Sequence, residues 1–550
     1  MLTKKLTYLV FTFLVCCVSI AAQDSLLLRD YSFIKQSSSW LTQRNAAALT
    51  LCDNKNIAEA ELLLSHGSGK LTGISGSPSL TTLQAFIESY YRINPRTVVF
   101  GAISYDNQSG SDMTGSVFMQ QRLPFDIVED SLTNAGRKHR DTYHLIGGCG
   151  YDIYKGISIG LKADYTAANY AKYKDLRHKN KLMDLKLTVG VFAPFTSWLN
   201  VGADYTYLRR TESVKFDTYG KNEKVYKSLI DYGGMMGIVE QFGNDGYTDK
   251  TNEMPLFEDG HSVGLQLGFF PQRSLQRQTL KERMFNVQCS MEFSHTTGYY
   301  GSKSPYTITY TDHDRDILAN HIRLSYLPST GTSRHHLDLH YQNEKLQNNM
   351  NTFRGQTNTT GATHYEYYDA TEAGNKSWRN LDIDYTMYLG IRHEMPTWTM
   401  TAGYHWQQRD MSSYLYPYYR QQQLRTNALT ATVTRNFMMP KGVWGITVNG
   451  GYKKGSGEPY TDGTFVTPGS KQYQPATQEA LLWHDYQYLT AAQYNIGLQM
   501  KYTFIFPGTS LRTHVRAAID YRKASISDDT PSGLHNPQRT LVTIAAGHTF

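Results

Sequence analysis

The sequence predicts an all-β fold: a transmembrane antiparallel β-barrel of about 18 strands, with 16–18 compatible with even-numbered closure. Three observations carry this expectation. Apolar residues recur at every second position over stretches of about 11 residues, the length that a tilted strand needs to cross a bilayer. Connections between these stretches alternate short and long. Mean hydropathy is only −0.48, yet 40% of the 550 residues are hydrophobic and 13% aromatic. A barrel hides its apolar surface by alternation, so its average looks polar.

Composition excludes the simplest alternatives. A helix bundle in the membrane needs about 20 consecutive apolar residues per span, and only the N-terminus holds such a run. The dense aromatics, among them 41 Tyr, argue against low-complexity disorder. Lys4 and Lys5, the apolar stretch from Leu6 to Ile20, and the small residues Ala21 and Ala22 predict a cleaved secretory signal peptide over residues 1–22. Cys16 and Cys17 leave with it, and Cys52, Cys149 and Cys289 are too few and too scattered for a disulfide framework or a zinc motif. The formal charge of +7 falls on no basic run, so no nucleic-acid partner is expected.

The alternation is clearest near the C-terminus. Leu511, Thr513, Val515, Ala517, Ile519 and Tyr521 share one face, opposite Arg512, His514, Arg516, Ala518, Asp520 and Arg522. Tyr494, Ile496, Leu498, Met500 and Tyr502 alternate with Asn495, Gly497, Gln499, Lys501 and Thr503, and Pro507-Gly508 supplies the turn between the two. Similar hairpins run through Leu381–Ile391 and Trp398–Trp406 and through Met183–Val191 and Leu199–Tyr207, and the same alternation recurs in Ile157–Tyr165 and in Trp444–Tyr452. Seventeen strands can be placed from 80–92 to 539–550, and one earlier strand within 57–71 restores even parity. Short turns fall near Pro95, Gly156, Thr196, Gly331, Pro396, Pro440 and Gly508. Long polar loops are expected near 108–141, 169–181, 211–259, 297–316, 347–377, 411–424, 455–489 and 524–538. Short turns on the periplasmic side and long loops outside are the outer-membrane pattern. The expected organisation is therefore a signal peptide (1–22), an N-terminal periplasmic segment or hatch (23–56) and the barrel (57–550), integral to the bacterial outer membrane.

The last strand carries Val542, Ile544, Ala546, His548 and Phe550 on one face. A terminal strand ending in Phe resembles the signal read by the barrel-insertion machinery, which implies Phe550, Ile544 and Val542 in assembly. As a whole the mature chain resembles outer-membrane β-barrels of the Bacteroidota type with no assigned activity. The stretch Trp40-Leu41-Thr42-Gln43-Arg44-Asn45-Ala46-Ala47-Ala48-Leu49 is similar to the Asn-Pro-Ala-Gly-Leu stretch of fatty-acid-channel-like barrels, with Ala46 in place of Pro and Ala48 in place of Gly. That resemblance implies an N-terminal hatch inside the lumen; those barrels have fewer strands, so a hydrophobic substrate does not follow.

No motif predicts catalysis or a cofactor. His336, Asp338 and His340 share a strand face with His321 nearby, a spacing that could chelate zinc but that polar lumen walls also produce. Asp312-His313-Asp314-Arg315-Asp316 resembles the opening of a calcium loop, but Ile317 stands where glycine is needed, so a solvated loop is expected. Gly67-Ser68-Gly69-Lys70 lacks the upstream glycine of a phosphate loop.

The lumen face is more informative. Arg512, His514, Arg516, Arg522 and Lys501 form a basic sector, while Asp382, Asp384, Asp164 and Asp184 lie on other strands. An Arg facing lipid would cost about 2–4 kcal/mol at the midplane, which assigns these faces inward. Such a wall suits a channel or transporter for a polar or amphipathic solute, unless the charges simply pair with one another. The alternative is a non-conducting scaffold whose loops bind a surface lipoprotein, a glycan or an uptake or secretion machine. The Tyr-rich tracts 365–368 and 414–419 offer ring surface for such contacts.

Overall fold

Strand-forming alternation becomes a closed wall. The structure, a computed structural model, describes residues 30–37, 44–52, 56–120, 122–129, 134–220, 223–250, 252–269, 285–304, 306–328, 331–505, 511–526 and 533–549. Strand β1 (Asn56–Ser68) is followed by β2 (Ser79–Asn94), β3 (Thr97–Met113), β4 (Gly136–Tyr154), β5 (Ile157–Lys172) and β6 (Arg177–Pro194). Next come β7 (Leu199–Asp217), β8 (Met254–Phe269), β9 (Phe285–Gly301), β10 (Thr309–Tyr326), β11 (Ser333–Thr357) and β12 (Thr363–Leu389). The wall ends with β13 (Trp398–Leu415), β14 (Tyr418–Met439), β15 (Gly442–Gly457), β16 (Ala492–Ile505), β17 (Arg512–Ser525) and β18 (Gln538–Thr549). Each pairs antiparallel with the next, and β18 closes on β1 with Ala545 opposite Leu63, an 18-strand barrel. Closure removes the unpaired edges that a flat sheet would expose. The predicted strand count and the extra first strand both hold.

The outward face is apolar and bare. Leu62, Ile87, Leu161, Val189, Val263, Phe293, Leu429 and Ile496 are all exposed. Ile159 and Leu161 point outward while Gly160 between them is buried on the inner side, as a period of two requires. Tyr151, Tyr154, Trp198 and Trp444 stand exposed near the short-turn rim, where aromatic rings suit a membrane interface.

The expectations about the long loops are corrected in three respects. The segments 347–377 and 411–424 are mostly strand rather than loop, because β11 and β12 run for 25 and 27 residues and β13 and β14 are separated only by Tyr416-Pro417. Above a bilayer both faces of a strand meet water, so alternation vanishes although pairing continues. The same extension places Asp312–Asp316 on β10, paired with β11, and not in a loop. Segments 108–141, 211–259 and 455–489 also do not simply project as polar loops. Within them Asp126–Glu129, Lys227–Asp231, Met236–Gln241 and Ala476–Thr477 form a small antiparallel sheet, flanked by the helix Glu479–Thr490.

This sheet caps the long-loop mouth. Phe125, Ile127 and Ile230 are fully buried and pack with Tyr232, Tyr247 and Tyr300. Wall side chains grip the cap from several strands: Asn180 Nδ2 donates to Val117 O at 3.0 Å, Lys376 Nζ to Leu123 O at 3.1 Å and Arg420 Nη1 to Gly234 O at 3.1 Å. Arg122 of the cap reaches Glu344 of β11 at 2.8 Å.

The cap also contains carboxyls held away from water. Burial pushes Asp126 from its ordinary 3.8 up to about 6; the nearby Asp231 charge adds to this, and the Ser116 hydroxyl, donating at 2.7 Å, opposes it. Burial raises Asp231 as well. A carboxyl raised in the folded state favours folding fully below its unfolded value, and that contribution is lost as pH rises through the folded value. Hydrogen exchange in residues 122–129, corrected for intrinsic rate, is therefore expected to be slower at about pH 5 than at about pH 7.5. Asp126→Asn should flatten that dependence; equal corrected protection at both pH values in the unsubstituted protein would contradict it.

Candidate functional site

At the short-turn rim, a segment preceding β1 lies against the inner wall. The sequence Ala46-Ala47-Ala48-Leu49-Thr50-Leu51 forms a 3-10 turn capped by Asn45, whose side-chain oxygen accepts from Ala47 N at 3.0 Å. Asn45 is 1% exposed. Its Nδ2 donates to Val191 O (2.9 Å), Ala203 O (3.2 Å) and Gln266 Oε1 (2.9 Å). Arg44 Nε donates to Asp204 Oδ1 at 2.8 Å and Arg44 Nη1 to Ser262 Oγ at 3.0 Å, and the guanidinium also pairs with Glu292. Arg92, beside the first short turn, holds the carbonyls of Thr50 (2.9 Å) and Cys52.

The seat is made of glycine. Gly150 on β4, Gly160 on β5 and Gly190 on β6 stand opposite one another in register. A Cβ on Gly160 would lie 2.0 Å from Ala47 N, one on Gly190 would lie 2.1 Å from Asn45 Oδ1, and one on Gly150 would lie 2.6 Å from Ala46 O. The wall is thus thinned to backbone where the turn enters. The small alanines do the same from the other side.

A second piece, the helix Tyr31–Ser37, docks beside it. Lys35 Nζ bridges both oxygens of Glu88 at 2.7 Å, and Tyr90 donates to Glu88 at 2.9 Å. Phe33 meets Tyr388 edge-on at 4.9 Å. Burial, with the Glu88 charge next to it, pushes the Tyr31 hydroxyl well up, so it stays protonated.

Above these pieces lies a cavity of about 970 Å³. Tyr31, Lys35, Gln36 and Arg44 of the N-terminal segment line one side, and wall residues of β1, β2 and β8–β13 line the rest. His405 Nδ1 meets Asp382 at 2.8 Å, with His340 at 3.8 Å from the same carboxylate and Asp384 at 3.9 Å from His405 Nε2. Arg323 Nε donates to Asp338 at 2.7 Å, and His321 Nε2 meets Asp338 at 3.0 Å. Asp338 is therefore engaged by a guanidinium, which disfavours a cation between His336, His340 and His321.

The lumen candidates scatter into separate clusters. Asp382 and Asp384 line the cavity. His514 Nε2 meets Glu61 of β1 at 3.0 Å, and Arg516 pairs with the same carboxylate. Lys501 stands opposite Arg516 on β16, Arg522 opposite Arg539, and Arg512 opposite Thr549 near the short-turn rim. Asp164 pairs with His144 at 2.8 Å and Asp184 with Arg210 at 3.3 Å, both outside the cavity lining. Val542 and Ile544 are exposed on β18; Phe550 and the signal peptide lie outside the described residues. Sequence reading missed Glu61, Glu88, Glu292 and His405, which reveal their role only through cross-strand register. The glycines did carry a signal, being set on neighbouring strands at matching depth.

A model described as a family of unknown function, DUF6850, matches residues 46–550. The chain belongs to this family. No curated protein matches this DUF6850 chain. Among solved structures it is similar to BauA, the ferric preacinetobactin receptor from Acinetobacter baumannii, at 9% identity and a TM-score of 0.41, over 90% of this chain and 80% of that one. The outer membrane transporter YddB from Escherichia coli is similar at 8% identity and a TM-score of 0.38, over 90% and 81%. FpvA of P. aeruginosa, in structures bound to heterologous pyoverdines, is similar at 8% and 0.39, over 89% and 72%.

Proposed function

We propose that this DUF6850 barrel is an outer-membrane transporter in which a polar or amphipathic solute passes through the charged central cavity, with the segment before β1 acting as a hatch. The observation that carries this reading is the cavity itself. It is about 970 Å³, a size typical of sites for small molecules, and lies inside a closed barrel whose two mouths hold the cap and the N-terminal pieces. The bare apolar belt supports placement in a lipid bilayer, with lipid and the insertion machinery as partners. The reading assigns no catalytic residue.

The test is planar-bilayer conductance of the purified, heat-modifiable protein. The full chain is expected to stay silent and a variant lacking residues 23–52 to conduct in a Glu129→Ala background, where the cap loses its buried pairs with Lys138 and Lys172, since β1 and β18 close the wall without that segment. Steady conductance from the full chain would favour an open pore. Silence from both would favour a second reading, a surface scaffold. One observation supports that alternative: a groove of about 590 Å³ on the long-loop side, where Tyr365, Tyr367 and Tyr368 stand beside Lys303 and Asp312. Rings flanked by charged groups suit a glycan or a surface lipoprotein.

A further inference from the structure

We propose that the central cavity takes a solute bearing an ammonium group at one end and a carboxylate at the other, of the size of a short peptide; this deepens the transport reading and rests on it. The charges lining the cavity are unevenly satisfied. Its cations are engaged: Lys35 by Glu88, Arg44 by Asp204 and Glu292, and Arg323 by Asp338. Among the described residues, Asp382 and Asp384 have no Lys or Arg at ion-pair distance; their neighbours are the imidazoles of His405 and His340. Two adjacent carboxylates facing a cavity attract an ammonium group.

A second observation points to the opposite charge. His336, 4% exposed, lines the same cavity, and its Nε2 has no hydrogen-bond partner. Its Nδ1 lies 2.8 Å from the Ser325 hydroxyl; if that hydroxyl donates, Nε2 carries the proton. Arg323 also lines the cavity, and its Nη1 has no partner. Buried polar groups left unmet are unfavourable; a carboxylate would accept from Arg323 Nη1 and, in the tautomer with the proton on Nε2, from His336.

Strand register sets the distance between the two ends. Arg323 stands opposite Asp338, and Asp338 opposite Asp384. The spare donors, on β10 and β11, thus stand one to two strand spacings from the spare acceptors on β12, roughly 5–10 Å. Two to three residues of extended peptide span about 7–10 Å. A solute with one charged end would leave the other set unmet, so the arrangement selects for both.

The test is calorimetric titration of the full-length protein in detergent with trialanine, N-acetyl-trialanine and trialanine amide. Trialanine is expected to bind, and each blocked form to bind at least about tenfold more weakly, a difference of about 1.4 kcal/mol. In the double variant Asp382→Asn, Asp384→Asn, the free and acetylated peptides should bind alike while the amide is still discriminated. His336→Leu should do the converse. Heat modifiability of each variant reports that the barrel has folded. Equal binding of all three peptides, or no binding of trialanine while the 23–52 deletion conducts, overturns the two-ended site and leaves transport standing. Two-ended binding together with a silent deletion variant supports the site and overturns transport.

Discussion

Gly160→Val is expected to expel the N-terminal segment while leaving the barrel wall intact. The new side chain would start 2.0 Å from Ala47 N, a contact with backbone that no rotamer change relieves. The outward neighbours Ile159 and Leu161 already place β-branched and bulky residues on this strand, so the wall tolerates Val. The turn must then give up the Asn45 bonds to Val191, Ala203 and Gln266 and the Arg44 pairs with Asp204 and Glu292. The readout is conductance in a planar bilayer, in a Glu129→Ala background that frees the cap, expected to change from silence to steady steps. Gly147→Val is the control, because a Cβ there meets nothing within 4 Å. Identical silence from both variants, each heat-modifiable, would show that the segment does not bar the lumen.

Glu129→Ala should release the cap. Glu129 lies on the cap strand Asp126–Glu129 and is gripped by Lys138 of β4 at 2.5 Å and by Lys172 of β5. Both lysine side chains are fully buried. Removing their shared partner strands two positive charges in a dry interior, and breaking a buried pair in this way costs about 3–5 kcal/mol. The strain is relieved most readily by lifting the cap, because the lysines belong to paired wall strands. Limited proteolysis within 113–136 should become faster by more than tenfold, with the heat-modifiable barrel unchanged. Glu129→Gln should be milder, since an amide oxygen still accepts one hydrogen bond. Unchanged proteolysis in Glu129→Ala would mean that the apolar packing around Phe125 and Ile127 alone holds the cap down.

What could be read from the sequence follows from where physics imposes a period. Between Leu511 and Tyr521, lipid on one side and lumen on the other force alternation, and the strand is visible residue by residue. Beyond the bilayer the constraint lapses, so the outer parts of β11 and β12 read as loop although they are paired. The cap was hidden for a different reason. Its anchors, Phe125, Ile127 and Ile230, sit in apolar runs only a few residues long, with nothing local to show that distant segments build one core from them. Charged residues were found but not their partners: Arg516 and His514 are legible on β17, whereas Glu61 lies more than 400 positions earlier and meets them only through closure. The stretch around Asn45 stood out by its resemblance; the glycines that receive it needed register between strands.

The location of that glycine seat has a consequence for the order in which the molecule can be assembled. Asn45, Ala46 and Ala47 are received by β4, β5, β6 and β7, with Gln266 of β8 completing the set. All of these are contiguous in the first half of the chain. The N-terminal turn can therefore find its resting place on an open, partly paired sheet, without waiting for β18 to close on β1. The cap is different, because Lys138 and Lys172 bind it from the early strands and Lys376 and Arg420 from the late ones. One mouth is furnished during construction of the wall, and the other is secured only when the ring is nearly complete.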